Sequence, residues 1–440
     1  MQPAPRPLNL HRIAVVALGH IGLPVAAYYA SLGHTVIGCD VDARVVDAIN
    51  RGESPLHEEP ELPALVADAV AAGRLRATTD TAAAVHASDV VIVVPPMLAS
   101  PEGGRDYRAM DAAFLAVGDG LQPGSLVILE TTVPAGDTRR RFLPLLEARS
   151  GLQHGRDFWL AFSPERVQSR TLLRDLRTYP RIVGALDAEG GQRAAEFYRE
   201  SLDVEVRLLA SAEAAELCKL AESIFRDVNI ALANELAMYA DELGIDFEEV
   251  RAAANSQPQS MVHVPGIGVG GHCIPVYPWF LIGDTEHGRL ARAARRINDA
   301  MPAYAVDLLE RHAGPLRDRP VLILGLGYRP GVRQAAHSPA IALSRLLRER
   351  GARPLVHDPL FSPEELRDWT AAEPADLAAL PPLAGIILQT AHPEYRAIDW
   401  PSVPGQPMVL DGRRGLDAAA LRAAGLTYVA IGSGARERAR

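Results

Sequence analysis

The apolar positions of this chain fall into short unbroken runs separated by stretches with helical spacing. Ile13-Ala14-Val15-Val16-Ala17-Leu18 is one such run, suited to a strand buried on both faces. Val25, Ala26, Tyr29 and Leu32 then recur at helical spacing, and Gly33 closes the segment. A second run, Thr35-Val36-Ile37-Gly38-Cys39, ends at Asp40. Further strands are expected at 89–94, 126–130 and 158–162. Strands alternating with helices indicate an open parallel sheet wound by helices.

Residues 211–244 read as one long helix. Glu213 and Glu216 favour its first turn through the helix dipole, and Gly244 suits its stop. Leu217, Leu220, Ile224, Val228, Ala231 and Leu232 recur along it at helical spacing. That stripe packs either inside the chain's own core or against a second subunit. A second α/β unit opens at Val321-Leu322-Ile323-Leu324-Gly325. It continues with a helix at 340–350, a strand into His357-Asp358-Pro359, and apolar runs at 384–388 and 408–410. The expected fold is α/β: two Rossmann-type doubly wound domains, 1–205 and 306–440, joined by a helical central domain, 206–305.

Composition narrows the class. A chain of 440 residues, 48% hydrophobic and 22% charged, suits a soluble enzyme of two or three domains. Three cysteines cannot build a disulfide framework, so a reducing cytoplasm is expected. Residues 1–9 are proline-rich without an apolar core, unlike a signal peptide. No apolar run approaches the roughly 18 residues of a membrane span. A net charge of −9 argues against nucleic acid as the main partner but leaves an anionic small molecule open.

Two places carry candidate chemistry. Gly270-Gly271-His272-Cys273-Ile274-Pro275 holds a cysteine behind two glycines, which permit close ligand approach. Pro275 favours a rigid turn over a helix interior. A cysteine so held is a candidate nucleophile or redox thiol. Free cysteines are more often small buried hydrophobes, which suits Cys39 and Cys218. The second place is Ala17-x-Gly19-x-x-Gly22, a dinucleotide fingerprint with its first glycine replaced. Ala17 fits there only with a negative φ. Gly19, His20, Ile21 and Gly22 form the phosphate turn, and Asp40 stands where an acid binds the ribose hydroxyls. Its charge disfavours a 2′-phosphate, so NAD is expected over NADP. Arg44 and Thr132 complete the expected cofactor set. The bland alternative is an ordinary tight turn between strand and helix.

Several ordered motifs carry a resemblance. They are Gly19-His20-Ile21-Gly22-Leu23-Pro24, Thr131-Thr132-Val133-Pro134, Ser163-Pro164-Glu165-Arg166-Val167, Glu216 to Glu222, Arg226-Asp227-Val228-Asn229-Ile230 and Gly270 to Pro275. Through them nearly the whole chain resembles the UDP-glucose/GDP-mannose dehydrogenase family of nucleotide-sugar 6-dehydrogenases. The form Gly-Gly-His-Cys-Ile-Pro looks most like the branch acting on UDP-N-acetylhexosamines (UDP-N-acetylmannosamine or UDP-N-acetylglucosamine). The resemblance implies that a sugar C6 hydroxyl is oxidised twice, with two NAD+, through a thiohemiacetal and a thioester on Cys273. It implies Lys219 as the cation beside the cysteine, Glu165 as the base in thioester hydrolysis, and Thr132 near the reacting sugar and water. It casts His272 as a positioning residue. It implies that Glu165, Arg166, Lys219, Ser223, Gly270, Gly271, Tyr328 and Arg329 bind the UDP-sugar, that no metal is needed, and that the enzyme is a homodimer through the central helix. Local alternatives for single residues are a solvated helix face for Lys219, an ion pair with Arg166 for Glu165, and a backbone-bonded hydroxyl for Thr132.

The chain also departs from the family pattern. Ser223 stands where the family usually has asparagine, and Tyr277 where it commonly has aspartate. Tyrosine is no carboxylate base near neutral pH. Arg329 replaces a lysine, and Ala336 lies where an arginine would meet the sugar nucleotide. Losing that donor weakens bidentate recognition, which Arg329 or Arg333 could restore. Two alternatives therefore remain: UDP-glucose as substrate, or an impaired homologue that binds a nucleotide sugar as a sensor.

Overall fold

The computed structural model describes residues 9–56, 59–99, 104–167 and 170–434. The expectation for the N-terminal residues falls outside them, Asn9 excepted. The chain divides into two compact units, 1–222 and 223–440.

The first unit is built on eight strands: β1 (Arg12–Val16), β2 (Thr35–Cys39), β3 (Leu75–Thr78), β4 (Val90–Val93), β5 (Leu126–Leu129), β6 (Trp159–Phe162), β7 (Arg181–Ala185) and β8 (Val206–Leu208). They lie in the order β8-β7-β6-β5-β4-β1-β2-β3. Every neighbouring pair is parallel except β6 with β7. β4, β5 and β6 are buried at every position, as expected of a sheet covered on both faces. Helix α1 (Gly22–Ser31) is buried at every residue but the last, so it is a core helix rather than an amphipathic one.

The strand order reverses beside β1, and the loops after β1, β2, β5 and β6 gather at the carboxyl edge, where open α/β sheets bind ligands. The five expected strands, β1, β2, β4, β5 and β6, lie within a residue or two of their places, whereas β3, β7 and β8 were not foreseen. β1 ends two residues early, because Ala17 and Leu18 turn out of the sheet.

The long helix α2 (Ala212–Leu243) matches the expected span, and Gly244 ends it in the left-handed region at φ +70°. In the second unit follow α3 (Cys273–Val276), α4 (Arg289–Ala313) and a parallel sheet. Its strands are β9 (Pro320–Leu324), β10 (Arg353–His357), β11 (Glu373–Pro374), β12 (Gly385–Leu388), β13 (Met408–Asp411) and β14 (Tyr428–Ala430). They lie in the order β11-β10-β9-β12-β13-β14, a second doubly wound sheet, with α5 (Pro339–Glu349) packed over it.

The stripe on α2 needs correction. Leu220 and Ala231 are buried, but Leu217 and Leu232 are exposed. Small residues make the helix's contact with the second core instead: Ala233, Ala237 and Ala240 let the backbones approach. Phe225, Leu232, Leu236, Tyr239 and Leu243 remain on the outside.

Candidate active site

The turn after β1 is set by its own backbone. Ala17 has φ +77°, in the left-handed region, against the negative φ expected for it. It is held there because Ala17 N–H donates to the Cys39 carbonyl at 2.8 Å, and Leu18 N–H donates to Asp40 Oδ2 at 2.8 Å. The Ala17 carbonyl then crosses Gly22 so closely that a Cβ there would stand 1.8 Å from the oxygen. Gly22 is therefore obligatory. At Gly19 a Cβ would meet nothing within 4 Å, so that residue faces open space.

Ile21, at the head of α1, makes no side-chain cap, and the first turn carries no acid. Its N–H groups suit a pyrophosphate. Asp40 also accepts from Asp42 N–H at 2.9 Å, which aims the carboxylate and leaves lone pairs for ribose hydroxyls. These residues fit NAD. His20 is exposed on the turn. Arg44 is solvent-exposed and paired with Asp42 at 2.7 Å.

Glu165, Lys219 and Thr132 all belong to the first unit. Lys219 is buried, and its Nζ donates to the Glu165 carbonyl, so it does not lie on a solvated face. Glu165 Oε1 accepts from the N–H groups of Arg166 at 2.6 Å and Val167 at 2.9 Å. Its other oxygen lies 3.3 Å from Arg181 Nη1. The guanidinium of Arg166 turns away, to Glu222 at 2.6 Å and the Pro180 carbonyl at 3.2 Å. An ion pair between Glu165 and Arg166 is thus corrected: register across the sheet supplies Arg181 instead.

Thr132 is buried on the loop after β5. That loop is pinned by Glu216, which accepts from Gly136 N–H, from Thr138 N–H at 2.9 Å and from Thr138 Oγ1 at 2.6 Å. Burial pushes the Glu216 carboxyl up to about 7, against the pull of these donors. Glu216 stands three residues before Lys219, so one face of α2 holds the loop and the next turn presents the amine. Ser223 is buried one turn on.

In the second unit Cys273 is exposed and opens the one-turn helix α3. Pro275 therefore does not prevent a helix. It is the third residue of α3, in the first turn, where no intrahelical partner for an N–H is needed. Gly271 has φ +87° and donates its N–H to the Ala336 carbonyl at 2.9 Å. A Cβ on Gly271 would meet the Tyr328 ring at 3.2 Å, and one on Gly270 would meet Tyr328 Cβ at 2.6 Å. The glycine pair is thus what lets the Tyr328–Ser338 segment lie against the cysteine turn.

Tyr277 is buried, with its ring 5.4 Å from His272 and 5.6 Å from Phe280. Upstream, Gly266 N–H donates to Asn234 Oδ1 at 2.9 Å, Asn234 to Asn298 at 2.9 Å, and Asn298 to Asp227 at 2.7 Å. The motif around Asp227 thus anchors the start of the glycine-rich loop.

Arg333 is spent on Glu365 and on the Leu360 carbonyl at 3.0 Å, so it does not replace the arginine missing at Ala336. Arg329 is half-buried beside Tyr328. Sequence reasoning missed Arg413, just past β13. It donates to the Gln389 carbonyl at 2.7 Å and to Gln389 Oε1 at 3.1 Å. Burial lowers its guanidinium to about 10, with Asp411 opposing. Asp-Gly-Arg-Arg directly after the apolar run was the available signal. Also missed were Glu130 and Arg181, charged residues at the ends of apolar strands.

The fold and the turn after β1 define a dinucleotide-dependent oxidoreductase. Comparison with known proteins narrows the class. Three models of the UDP-glucose/GDP-mannose dehydrogenase family match in chain order: the NAD-binding domain over 11–202, the central domain over 213–300 and the UDP-binding domain over 322–418. The chain belongs to that family. It is 35% identical over 413 residues to UDP-N-acetyl-D-mannosamine dehydrogenase of Pyrococcus horikoshii, covering 91% of this chain and 95% of that protein. It is 36% identical over 405 residues to NDP-N-acetyl-D-galactosaminuronic acid dehydrogenase of Ralstonia solanacearum, covering 89% and 93%. The solved structure of a UDP-glucose dehydrogenase from Pyrobaculum islandicum superposes with a TM-score of 0.84 at 30% identity, covering 98% of this chain and 99% of that one. The protein is therefore an NAD-dependent oxidoreductase acting on UDP-sugars. Among the described residues, no helix is long and apolar enough to cross a membrane.

Proposed function

We propose that the enzyme oxidises the C6 hydroxyl of a UDP-N-acetylhexosamine to the uronic acid through Cys273. The observation that carries this reading is the exposed Cys273 thiol, presented by a glycine pair that admits Tyr328 at van der Waals distance. Bound NAD+ supplies the hydride acceptor for each of the two oxidations. The Cys273 thiolate adds to the C6 aldehyde, and the adduct is oxidised to a thioester. Water then attacks the acyl carbon, the C–S bond breaks, and the thiolate leaves. Lys219 stabilises the oxyanion, Glu165 takes the proton from water, and Thr132 orients the reacting groups.

Gly19, His20, Ile21, Gly22, Asp40, Arg44 and Thr132 hold the cofactor. Glu165, Arg166, Lys219, Ser223, Gly270, Gly271, Tyr328 and Arg329 hold the sugar nucleotide, with Arg413 as a further cation for its phosphates. Two of the relatives bear names of N-acetylated sugars, which supports an N-acetylhexosamine over glucose. The enzyme works in the cytoplasm as a homodimer through the exposed face of α2.

A panel of UDP-sugars, with NADH and acid product both quantified, tests the reading. Two NADH per acid are expected with an N-acetylhexosamine. One NADH per aldehyde would remove the hydrolytic step, and tight binding without turnover would favour a sensor. Cys273→Ser should abolish thioester formation, and unchanged acid production by that variant would sink the mechanism.

A further inference from the structure

A buried charge cluster lies beneath Glu165. β7, with β8 parallel to it, runs against the rest of its sheet, and its register pairs Phe162 with Gly184 and Ala161 with Ala185. Continued past Phe162, that register puts Arg181, the first residue of β7, opposite Glu165. A parallel strand would begin at the other edge of the sheet, so the reversal is what delivers a guanidinium to the carboxyl edge.

Arg181 Nη1 lies 3.3 Å from Glu165 Oε2 and 3.9 Å from Glu130 Oε1. Tyr198, on the helix Ala188–Leu202, donates its hydroxyl to Glu130 Oε1 at 2.6 Å, and its ring lies 5.2 Å from the guanidinium. Tyr29 and Tyr28 of α1 also face Arg181. Lys219 donates to the Glu165 carbonyl, and the Arg166 guanidinium is occupied elsewhere. Glu130 and Arg181 are buried, and Glu130 Oε2 and Arg181 Nη2 have no partner among the described residues. One cation between a buried acid and a half-buried one, with an open donor and acceptor, costs stability. Such costs concentrate where charge is put to use. Burial pushes the Glu130 carboxyl up to about 7, Arg181 opposing and Glu165 adding to the rise.

We propose that Arg181 is the positioning residue of the Glu165 base, with Glu130 as the competing carboxylate that sets how much of its charge Glu165 receives. The inference rests on the reading of Glu165 as the group that accepts the proton of the attacking water while Cys273 leaves as thiolate. Arg181 is buried and acts through Glu165. It holds the Glu165 carboxylate aimed before the proton arrives.

The test is the pH profile of acid release from the thioester, by rapid quench, in the whole enzyme. Arg181→Met should move the ascending limb up by at least about one pH unit, and Arg181→Lys should restore much of it. Glu130→Gln should move the limb down, because Glu165 then has the guanidinium to itself. Opposite shifts from two buried substitutions do not arise from general loosening. Limbs that stay fixed, or that move together, would overturn the proposal. Should Arg181→Met not fold, Arg181→Lys and Glu130→Gln carry the same test. Carboxyl 13C NMR of the substrate-free enzyme should show the same two shifts. If it does while no UDP-sugar yields acid, the charge arrangement stands and the hydrolytic reading falls.

Discussion

Replacing Ala17 with glycine should stabilise the first unit, although it removes a methyl group from a turn beside the core. The residue is held at φ +77° by its N–H bond to Cys39 and by the crossing of its carbonyl over Gly22, so it has no route to a negative φ. A left-handed backbone costs a residue with a Cβ roughly 1–2 kcal/mol. Glycine returns about 0.4–1 kcal/mol of that through the greater freedom of the unfolded chain. The net gain is about 0.5–1 kcal/mol, or a rise of about 1–4 °C in a unit of this size. Ala17→Val should do the opposite and lose at least about 1 kcal/mol, because a branched Cβ is least tolerated at positive φ.

Hydrogen exchange of the β1 and β2 amides in the full chain reads the opening free energy where the strain sits. NADH affinity should stay within about threefold in the glycine variant, because the phosphate turn keeps its path. A glycine variant less stable than the parent, or a valine variant equal to it, would show that the turn is not strained as described.

Other expectations follow from the same geometry. Gly271→Ala sets a Cβ against the Tyr328 ring at positive φ, so acid formation should fall at least about tenfold with NADH binding intact. Unchanged single-turnover rates would refute it. Burial raises the folded Glu216 carboxyl to about 7 from 4.5, so the stability of its protonated form is full below pH 4.5 and is lost as pH climbs to about 7. That loss is about 3 kcal/mol, and Glu216→Gln should flatten it. Urea midpoints measured across that range would retain their slope if the assignment were wrong. Phe225→Asp with Tyr239→Asp, on the exposed face of α2, should convert a dimer to a monomer in light scattering without loss of helix content. A variant that stays dimeric would move the interface elsewhere.

The sequence by itself determined the central strands of both sheets, the long helix and their order. Short apolar runs and helical spacing are local, and they foretold β1, β2, α2 and four strands of the second sheet within a residue or two, but not its edge strands β11 and β14. Motif residues also carried their place in the fold: Gly22, Asp40, Lys219 and Cys273 all lie where strand ends and helix starts present them. Only the tertiary structure decided what neighbours those residues meet. Ala17 is left-handed because β2 binds its N–H, which nothing in positions 13–22 reveals. Glu165 meets Arg181 rather than Arg166 because β7 runs antiparallel to β6, and strand direction is settled by pairing across the sheet. The α2 stripe divided because alanines packed inward, leaving larger apolar side chains outside. Periodicity marks a helix as apolar, but which face is covered depends on partners far away in the chain.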